Sequence, residues 1–283
     1  MIRQIAVIGT GTMGRGIAYL AAVSGHDTVV FDFDRAALDG ARAWIESTLL
    51  KGVEKSKLTG EAAQAALSRV HLATDIEPAV RAADLIIEAV PENLELKSDI
   101  FAQADLFCSE ETILASNTSS ISISKLAGNV ERRDRFIGLH FFNPPHLMKL
   151  IEIVSGERTS SETVAEMQAL AKKMGKEAIV VRDTPGFATS RLGVAIGLEA
   201  IRMFEEGVAS AEDIDRAMEL GYNHPMGPLR LTDLIGLDVR LGIAEYLAGA
   251  LGPRFEPPQI LRDMVAEGKL GKKTGRGFYE WNE

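Results

Sequence analysis

Short β-branched runs alternate with amphipathic stretches through the first 180 residues of the chain. "IAVIG", "DTVVFD", "VHLATD", "DLIIEAV", "TILASN", "RFIGLHFF", "KLIEIVSG" and "EAIVVRD" read as strands. Apolar positions at helical spacing lie between several of them, for instance over 35–51, 92–107 and 161–174. That alternation predicts a parallel sheet covered by helices, the doubly wound α/β class. From "TPGFATSRL" onward the strand signal disappears. Helical patterns take over at 187–206, 211–219, 229–250 and 258–267, separated by Gly- and Pro-containing breaks. The change of period places a boundary near residue 185, with an α/β domain over 1–184 and an all-helical domain over 185–283. The first helical segment, "RLGVAIGLEAIRMFEEG", is apolar round most of its circumference, which suits a central core helix, a subunit interface, or both.

Composition changes this picture little, and charge changes it more. At 283 residues and 46% hydrophobic the chain can build two ordinary cores. No stretch approaches about 18 consecutive apolar residues, so no membrane span is expected. The first strand-like run begins at residue 2, which leaves no expected room for a secretory leader. The single cysteine, Cys108, allows no intramolecular disulfide and no cysteine metal cluster, which suits a reducing, cytoplasmic setting. A net charge of −9 argues against nucleic acid as a partner. Two basic clusters stand out against it, Lys51, Lys55 and Lys57 in "KGVEKSK" and Lys269, Lys272, Lys273 and Arg276 in "GKLGKKTGR".

The segment "IAVIGTGTMGRGIAYLAAVSGHDTVVFD" places Gly9, Gly11 and Gly14 between a strand and a helix, and a second strand then ends at Asp32. Strand, glycines, helix, strand and acid in that order form a Rossmann-type dinucleotide unit. Gly9 permits the tight turn, Gly11 lets the backbone approach a pyrophosphate, and Gly14 allows close helix–strand packing. Thr12 and Met13 lie between the last two glycines, where the helix presents free N–H groups to the anion. Asp32 would accept from the adenosine ribose hydroxyls and repel a 2′-phosphate, which favours NAD over NADP.

A dinucleotide site does not choose a reaction. Oxidation of an alcohol needs a base for the hydroxyl proton, and histidine titrates near neutrality. Of five histidines, His26 ends the first helix as a cap, His71 starts a strand at a sheet edge, His146 sits in a loop and His224 in a turn between helices. His140 differs. Its strand is joined to "MKLIEI" by a short Pro-containing loop, a connection that favours antiparallel neighbours and brings Glu152 within reach of His140. A carboxylate there would hold the imidazole in one tautomer and stabilise its protonated form. A satisfied core histidine is the other reading of the same residue.

The blocks "GTGTMGRGIA", "EAVPENLELK", "ASNTSSISI", "GLHFFNPP", "MKLIEIV", "DTPGF", "HPMGPLRLTDLIGLD" and "GKKTGRGFYEW" follow one another from end to end of the chain. In that order they resemble the L-3-hydroxyacyl-CoA dehydrogenase family, in its short 3-hydroxybutyryl-CoA dehydrogenase form. The resemblance implies interconversion of L-3-hydroxyacyl-CoA and 3-ketoacyl-CoA with NAD, with His140 as general acid/base, Glu152 as its orienting carboxylate and Ser119 bonded to the reacting oxygen. It places Asp32, Glu92, Lys97, Asn143 and Lys273 with the glycines at the cofactor, and Lys55 and Thr48 near the CoA phosphates, Thr48 standing where a serine is usual. It also implies that the helical domain mediates a homodimer.

One position departs from the family pattern. After "TPGF" the family continues to an asparagine that reaches the reacting region, and here "TPGFATSRL" puts Ser190 there. Serine keeps a donor and an acceptor but is shorter by an amide group, so a water or a shifted substrate would fill the gap. Ser190 also reads as a helix cap. Two further readings of the chain stay open: a dehydrogenase of a free hydroxy acid on the same fold, as in the gulonate and carnitine dehydrogenases, and a catalytically silent NAD-binding protein. Lys55 discriminates the first of these, because only a CoA substrate would use it.

Overall fold

In a computed structural model that describes residues 2–281, all eight apolar runs form strands of one sheet. They are β1 (Gln4–Ile8), β2 (Asp27–Phe31), β3 (Val70–Ala73), β4 (Leu85–Glu88), β5 (Ile113–Ser116), β6 (Phe136–Phe141), β7 (Leu150–Ser155) and β8 (Glu177–Arg182). The spatial order is β3-β2-β1-β4-β5-β6-β7-β8. Neighbours from β3 to β6 run parallel, β7 is antiparallel to β6, and β8 runs parallel to β7. Every residue of β4 and β5 is buried, as expected of central strands covered on both faces, and their sequences are correspondingly short continuous runs.

Among the described residues, seven α-helices accompany the sheet: α1 (Thr12–Val23), α2 (Arg35–Glu54), α3 (Gly60–Ser68), α4 (Ile76–Val80), α5 (Leu94–Phe107), α6 (Ile123–Leu126) and α7 (Ser161–Lys173). Most begin at a side-chain cap that the sequence supplies. Asp34 accepts from Ala36 N, Thr59 from Ala62 N, Asn93 from Leu96 N and Ser160 from Thr163 N. The N-terminus of α1 has no such cap, for its cap residue is Gly11. The core of this unit packs Ile5, Val7 and Ile87 of the sheet with Ile17 and Ala18 of α1 and Leu38 and Ile45 of α2.

The chain divides at Thr184 and Pro185 into two compact units. The second is helical: α8 (Thr189–Glu205), α9 (Ala211–Gly221), α10 (Pro228–Ile235), α11 (Leu237–Leu251) and α12 (Gln259–Ala266). Its core gathers Val194, Leu198 and Ile201 of α8, Ile214, Leu229, Leu237, Leu247 and Leu261. Helix α8 is therefore a core helix, yet Leu192 is 62% and Ile196 38% exposed on its other side. The single helix expected over 229–250 is in fact two. Gly236 adopts φ 108°, outside helical space, and caps the end of α10 and the start of α11. The C-terminal segment is tied down by Asp233, whose buried carboxylate accepts from Phe278 N, Tyr279 N and Trp281 Nε1 at 2.8–2.9 Å.

Candidate active site

The turn between β1 and α1 is shaped as an anion cradle. Gly9 has φ 99°, and a Cβ on Gly14 would lie 1.9 Å from Gly9 O, so the start of α1 is pressed directly against the turn. Over Gly11 nothing lies within 4 Å of where a Cβ would be, so the backbone there faces open space. With glycine at the cap and no acidic residue in the first turn, the N–H groups of Thr12, Met13 and Gly14 meet no anion from their own cap or turn. Asp32, one residue beyond β2, has its Oδ2 held by the Thr10 hydroxyl at 2.6 Å and Thr10 N at 3.1 Å, and its Oδ1 by Asp34 N at 3.1 Å. An N-terminal amide set without a side-chain cap, with a fixed carboxylate just past the second strand, fits a dinucleotide with free ribose hydroxyls.

The antiparallel pairing of β6 and β7 sets His140 directly opposite Glu152. His140 Nδ1 lies 2.7 Å from Glu152 Oε2, with Glu152 fully buried and His140 7% exposed. A carboxylate can only accept, so Nδ1 carries the proton and Nε2 is the basic nitrogen. The Phe142 ring packs 4.5 Å from the imidazole. The connecting loop contains the cis Asn143–Pro144 peptide and is fastened from below by Lys176, whose Nζ donates to Pro145 O at 2.7 Å and Met148 O at 2.6 Å. Burial pushes the Lys176 pKa down from its ordinary value.

Ser119 lies in the loop that follows β5, and Glu92 organises that loop. Glu92 Oε1 accepts from the Thr118 hydroxyl, from Ser119 N at 3.1 Å, and from Ser120 N and Oγ at 3.2 and 3.1 Å, with the Ser119 hydroxyl more distant at 3.4 Å. Burial pushes the Glu92 pKa upward, but Lys97 and the hydroxyl and amide donors outweigh it and leave the carboxyl below its usual range. Lys97 is only 1% exposed. Its Nζ donates to Glu88 Oε1 at 2.6 Å and to Val90 O at 3.2 Å, and forms an ion pair with Glu92 Oε2 at 3.4 Å. Glu88 is fully buried at the end of β4 and accepts from the Ser116 hydroxyl at 2.7 Å. Burial raises its pKa against the opposing pull of Lys97. On the far side of the loop, Asn117 Oδ1 accepts from Phe141 N at 2.9 Å. Glu88, Asn117 and Lys176 escaped the sequence reading. Glu88 carried a signal, a charge closing the otherwise apolar run "LIIE" with a lysine nine residues on.

Residues 4–184 match the NAD-binding-domain model of 3-hydroxyacyl-CoA dehydrogenase, and residues 186–281 match the C-terminal-domain model. This chain belongs to the 3-hydroxyacyl-CoA dehydrogenase family. It is thus an oxidoreductase with NAD as cofactor. Among curated proteins it is 44% identical to a probable 3-hydroxybutyryl-CoA dehydrogenase of Bacillus subtilis (strain 168) over 283 residues, covering 100% of this chain and 98% of the other. It is 43% identical to the mitochondrial hydroxyacyl-coenzyme A dehydrogenase of Sus scrofa over 288 residues, covering 99% and 92%. Among solved structures, the (S)-3-hydroxybutyryl-CoA dehydrogenase PaaH1 from Ralstonia eutropha superposes with a TM-score of 0.97 at 44% identity, each chain fully covered.

The remaining expected site residues of this dehydrogenase lie elsewhere in each unit. The hydroxyl of Thr48, on α2, donates to Trp44 O at 2.7 Å, and Lys55 is the exposed cap residue at the end of that helix. Lys51 and Lys57 are exposed beside it. In the helical unit Ser190 is the second residue of α8, whose cap is Ala188, so Ser190 does not cap the helix. Lys273 lies 2.6 Å from both carboxylate oxygens of Asp238. Burial acts upward on the Asp238 pKa, and the Lys273 bond together with Val239 N more than offsets it. His71 does lie on the edge strand β3. His26 is not a helix cap, because α1 ends at Val23 with Ser24 as its cap; His26 follows two residues later, 1% exposed. Among the described residues no helix is long and apolar enough to cross a membrane.

Proposed function

We propose that this protein interconverts L-3-hydroxyacyl-CoA and 3-ketoacyl-CoA thioesters, 3-hydroxybutyryl-CoA or a close analogue among them. Bound NAD supplies the hydride acceptor. His140 Nε2 takes the proton of the 3-hydroxyl, Glu152 stabilises the imidazolium that results, and the Ser119 hydroxyl donates to the oxygen as it becomes a carbonyl. Residues 1–184 form the cofactor domain and 185–283 the substrate and dimerisation domain. Gly9, Gly11, Thr12, Met13 and Gly14 receive the pyrophosphate, and Asp32 the adenosine ribose. Glu92, Asn143 and Lys273 serve as NAD-binding residues, as does Lys97, which holds Glu92. Thr48 and Lys55 serve the CoA phosphates. The protein works in the cytoplasm as a homodimer, for which the exposed Leu192, Leu231, Leu234, Ile235 and Val239 of the helical unit supply apolar surface.

The His140–Glu152 pair at 2.7 Å carries this reading, because a buried carboxylate bonded to one imidazole nitrogen makes the other a base. The test is NADH oxidation with acetoacetyl-CoA by wild type, His140→Ala and Ser119→Ala. Turnover by wild type and loss of most of the rate in both variants is expected. Absence of turnover with any 3-ketoacyl-CoA, or full activity of His140→Ala, overturns it. At Ser190 a serine stands where the family has an asparagine, and a water or a shifted substrate fills the place of the longer amide. An unfilled gap there would cost about 2.7–4 kcal/mol of transition-state stabilisation.

A further inference from the structure

We infer that Asn117 is a positioning residue that fixes Ser119 relative to His140, and so sets the gap into which the reacting oxygen must fit. The inference rests on the roles proposed above for those two residues.

It begins with where the sheet stops. Strands β5 and β6 pair in parallel only as far as Ser116 opposite Gly138. Strand β6 runs on to Phe141, so His140 lies beyond the last residue that β5 supports. On its other side β6 is still held by β7, through His140 opposite Glu152 and Phe141 opposite Ile151. The β5 side would leave the amide of Phe141 without a ladder partner, and Phe141 is 2% exposed. A buried N–H without an acceptor is costly, so something must take it.

Asn117 takes it. Its own backbone N–H turns back to Glu88 O at 2.8 Å, towards β4, while its side-chain Oδ1 accepts from Phe141 N at 2.9 Å, towards β6. The side-chain amide oxygen thus stands in for the carbonyl that a longer β5 would have presented. Asn117 is two residues before Ser119, and Phe141 is the residue after His140. One hydrogen bond therefore joins the loop carrying the oxygen-holding hydroxyl to the strand carrying the base. The Glu92 carboxylate fixes the same loop through the amides of Ser119 and Ser120, which sets its fold. Asn117 adds the bond from that loop to β6.

Positioning of this kind acts on the chemical step more than on binding, because a misplacement of about 1 Å between reacting groups can cost as much as a hundredfold in rate. The experiment compares Asn117→Ala, Asn117→Asp, Ser119→Ala and the Asn117→Ala/Ser119→Ala double variant in kcat, in KM for NADH and in melting temperature. Aspartate keeps an acceptor oxygen in the same place. We expect kcat of Asn117→Ala to fall about tenfold or more with KM for NADH within about twofold of wild type. We expect Asn117→Asp to recover most of that loss. The double variant should be no more than about twofold slower than Ser119→Ala, because Asn117 acts through Ser119. Should Asn117→Ala fail to fold, Asn117→Ser, one amide group shorter, replaces it.

An Asn117→Ala enzyme with wild-type kcat, in a protein where Ser119→Ala is slow, overturns the inference and leaves the proposed function standing. So does a loss that is equal in the Ser119→Ala background, or one that aspartate fails to recover. Wild-type rates in both Ser119→Ala and His140→Ala overturn the proposed function itself, and this inference with it.

Discussion

Replacing Glu152 by glutamine changes one charge and almost no volume, at a position that is fully buried. The carboxylate oxygen lies 2.7 Å from His140 Nδ1, a short contact between groups shielded from water. Hydrogen bonds to charged groups contribute about 1.5–3 kcal/mol. Opposite charges with centres about 4 Å apart attract by roughly 4 kcal/mol at an effective dielectric near 20, of which desolvation removes a part. We take about 1.5–3 kcal/mol as the loss when the imidazolium faces an amide, which raises the barrier enough to slow kcat by about 10- to 150-fold. A second effect adds to the first. The glutamine amide can donate to Nδ1 and drive the proton onto Nε2, the nitrogen that must be basic, and a tautomer error of that type has cost about 10⁴ in a hydrolase triad. The assay is steady-state NADH oxidation with acetoacetyl-CoA, alongside NADH binding by fluorescence. Binding should stay within about twofold, because the dinucleotide cradle between β1 and α1 contains neither residue. A folded Glu152→Gln enzyme with kcat within about threefold of wild type would refute the reasoning, for the carboxylate would then stabilise nothing in the transition state.

Four other outcomes are expected. Asp32→Ala removes the carboxylate that repels a 2′-phosphate, so the ratio of kcat/KM for NADH over NADPH should fall by about tenfold or more. Gly14→Ala forces a Cβ to 1.9 Å from Gly9 O, and NADH affinity measured by fluorescence should drop at least about tenfold, equivalent to ~1.4 kcal/mol. Lys97→Met strands the buried Glu88 carboxylate, and urea unfolding should register a loss of about 3–5 kcal/mol. Burial, and then Lys173, holds the His26 pKa below its ordinary value. The unfolded chain therefore binds that proton more tightly, so stability should be full above about pH 6.5 and decline as pH falls below it. His146, lowered by burial, has the same sign. Melting temperatures of wild type and His26→Phe from neutral to mildly acidic pH check this, with a flatter profile expected of the variant.

Much of the fold could be read from the chain because its physics is local or periodic. The central strands are buried on both faces, so they appear as unbroken apolar runs, and the caps Asp34, Thr59, Asn93 and Ser160 mark their helices directly. Gly236 was illegible for a specific reason. Helical spacing persists on both sides of it, and its positive φ divides α10 from α11. The pairing of His140 with Glu152 was legible because a short loop dictates antiparallel neighbours. The supports beneath that pair were not. Asn117 meets Phe141 across 24 positions, and Lys176 meets Met148 and Pro145 across 28 and 31, and each is a single polar residue with no period to betray it.

The direction of β7 decides whether the His140–Glu152 pair can exist at all. In an open parallel sheet, ligands bind outside the carboxyl ends of the strands where the order reverses, and here that reversal lies between β1 and β4. The polar groups of the first unit gather there accordingly. Gly9 follows β1, Asp32 follows β2, Glu88 ends β4, Asn117 follows β5 and His140 is the penultimate residue of β6. A seventh strand running the same way would bring its early residues to the opposite end of the sheet, far from all of these. The connection from Phe142 to Lys149 is too short for the crossover that a parallel neighbour needs, so β7 must run back. Its third residue then falls where the sixth strand ends, and that residue is Glu152. The short loop is thus the cause of the dyad, and lengthening it enough to permit a crossover would remove the carboxylate from the base without altering either side chain.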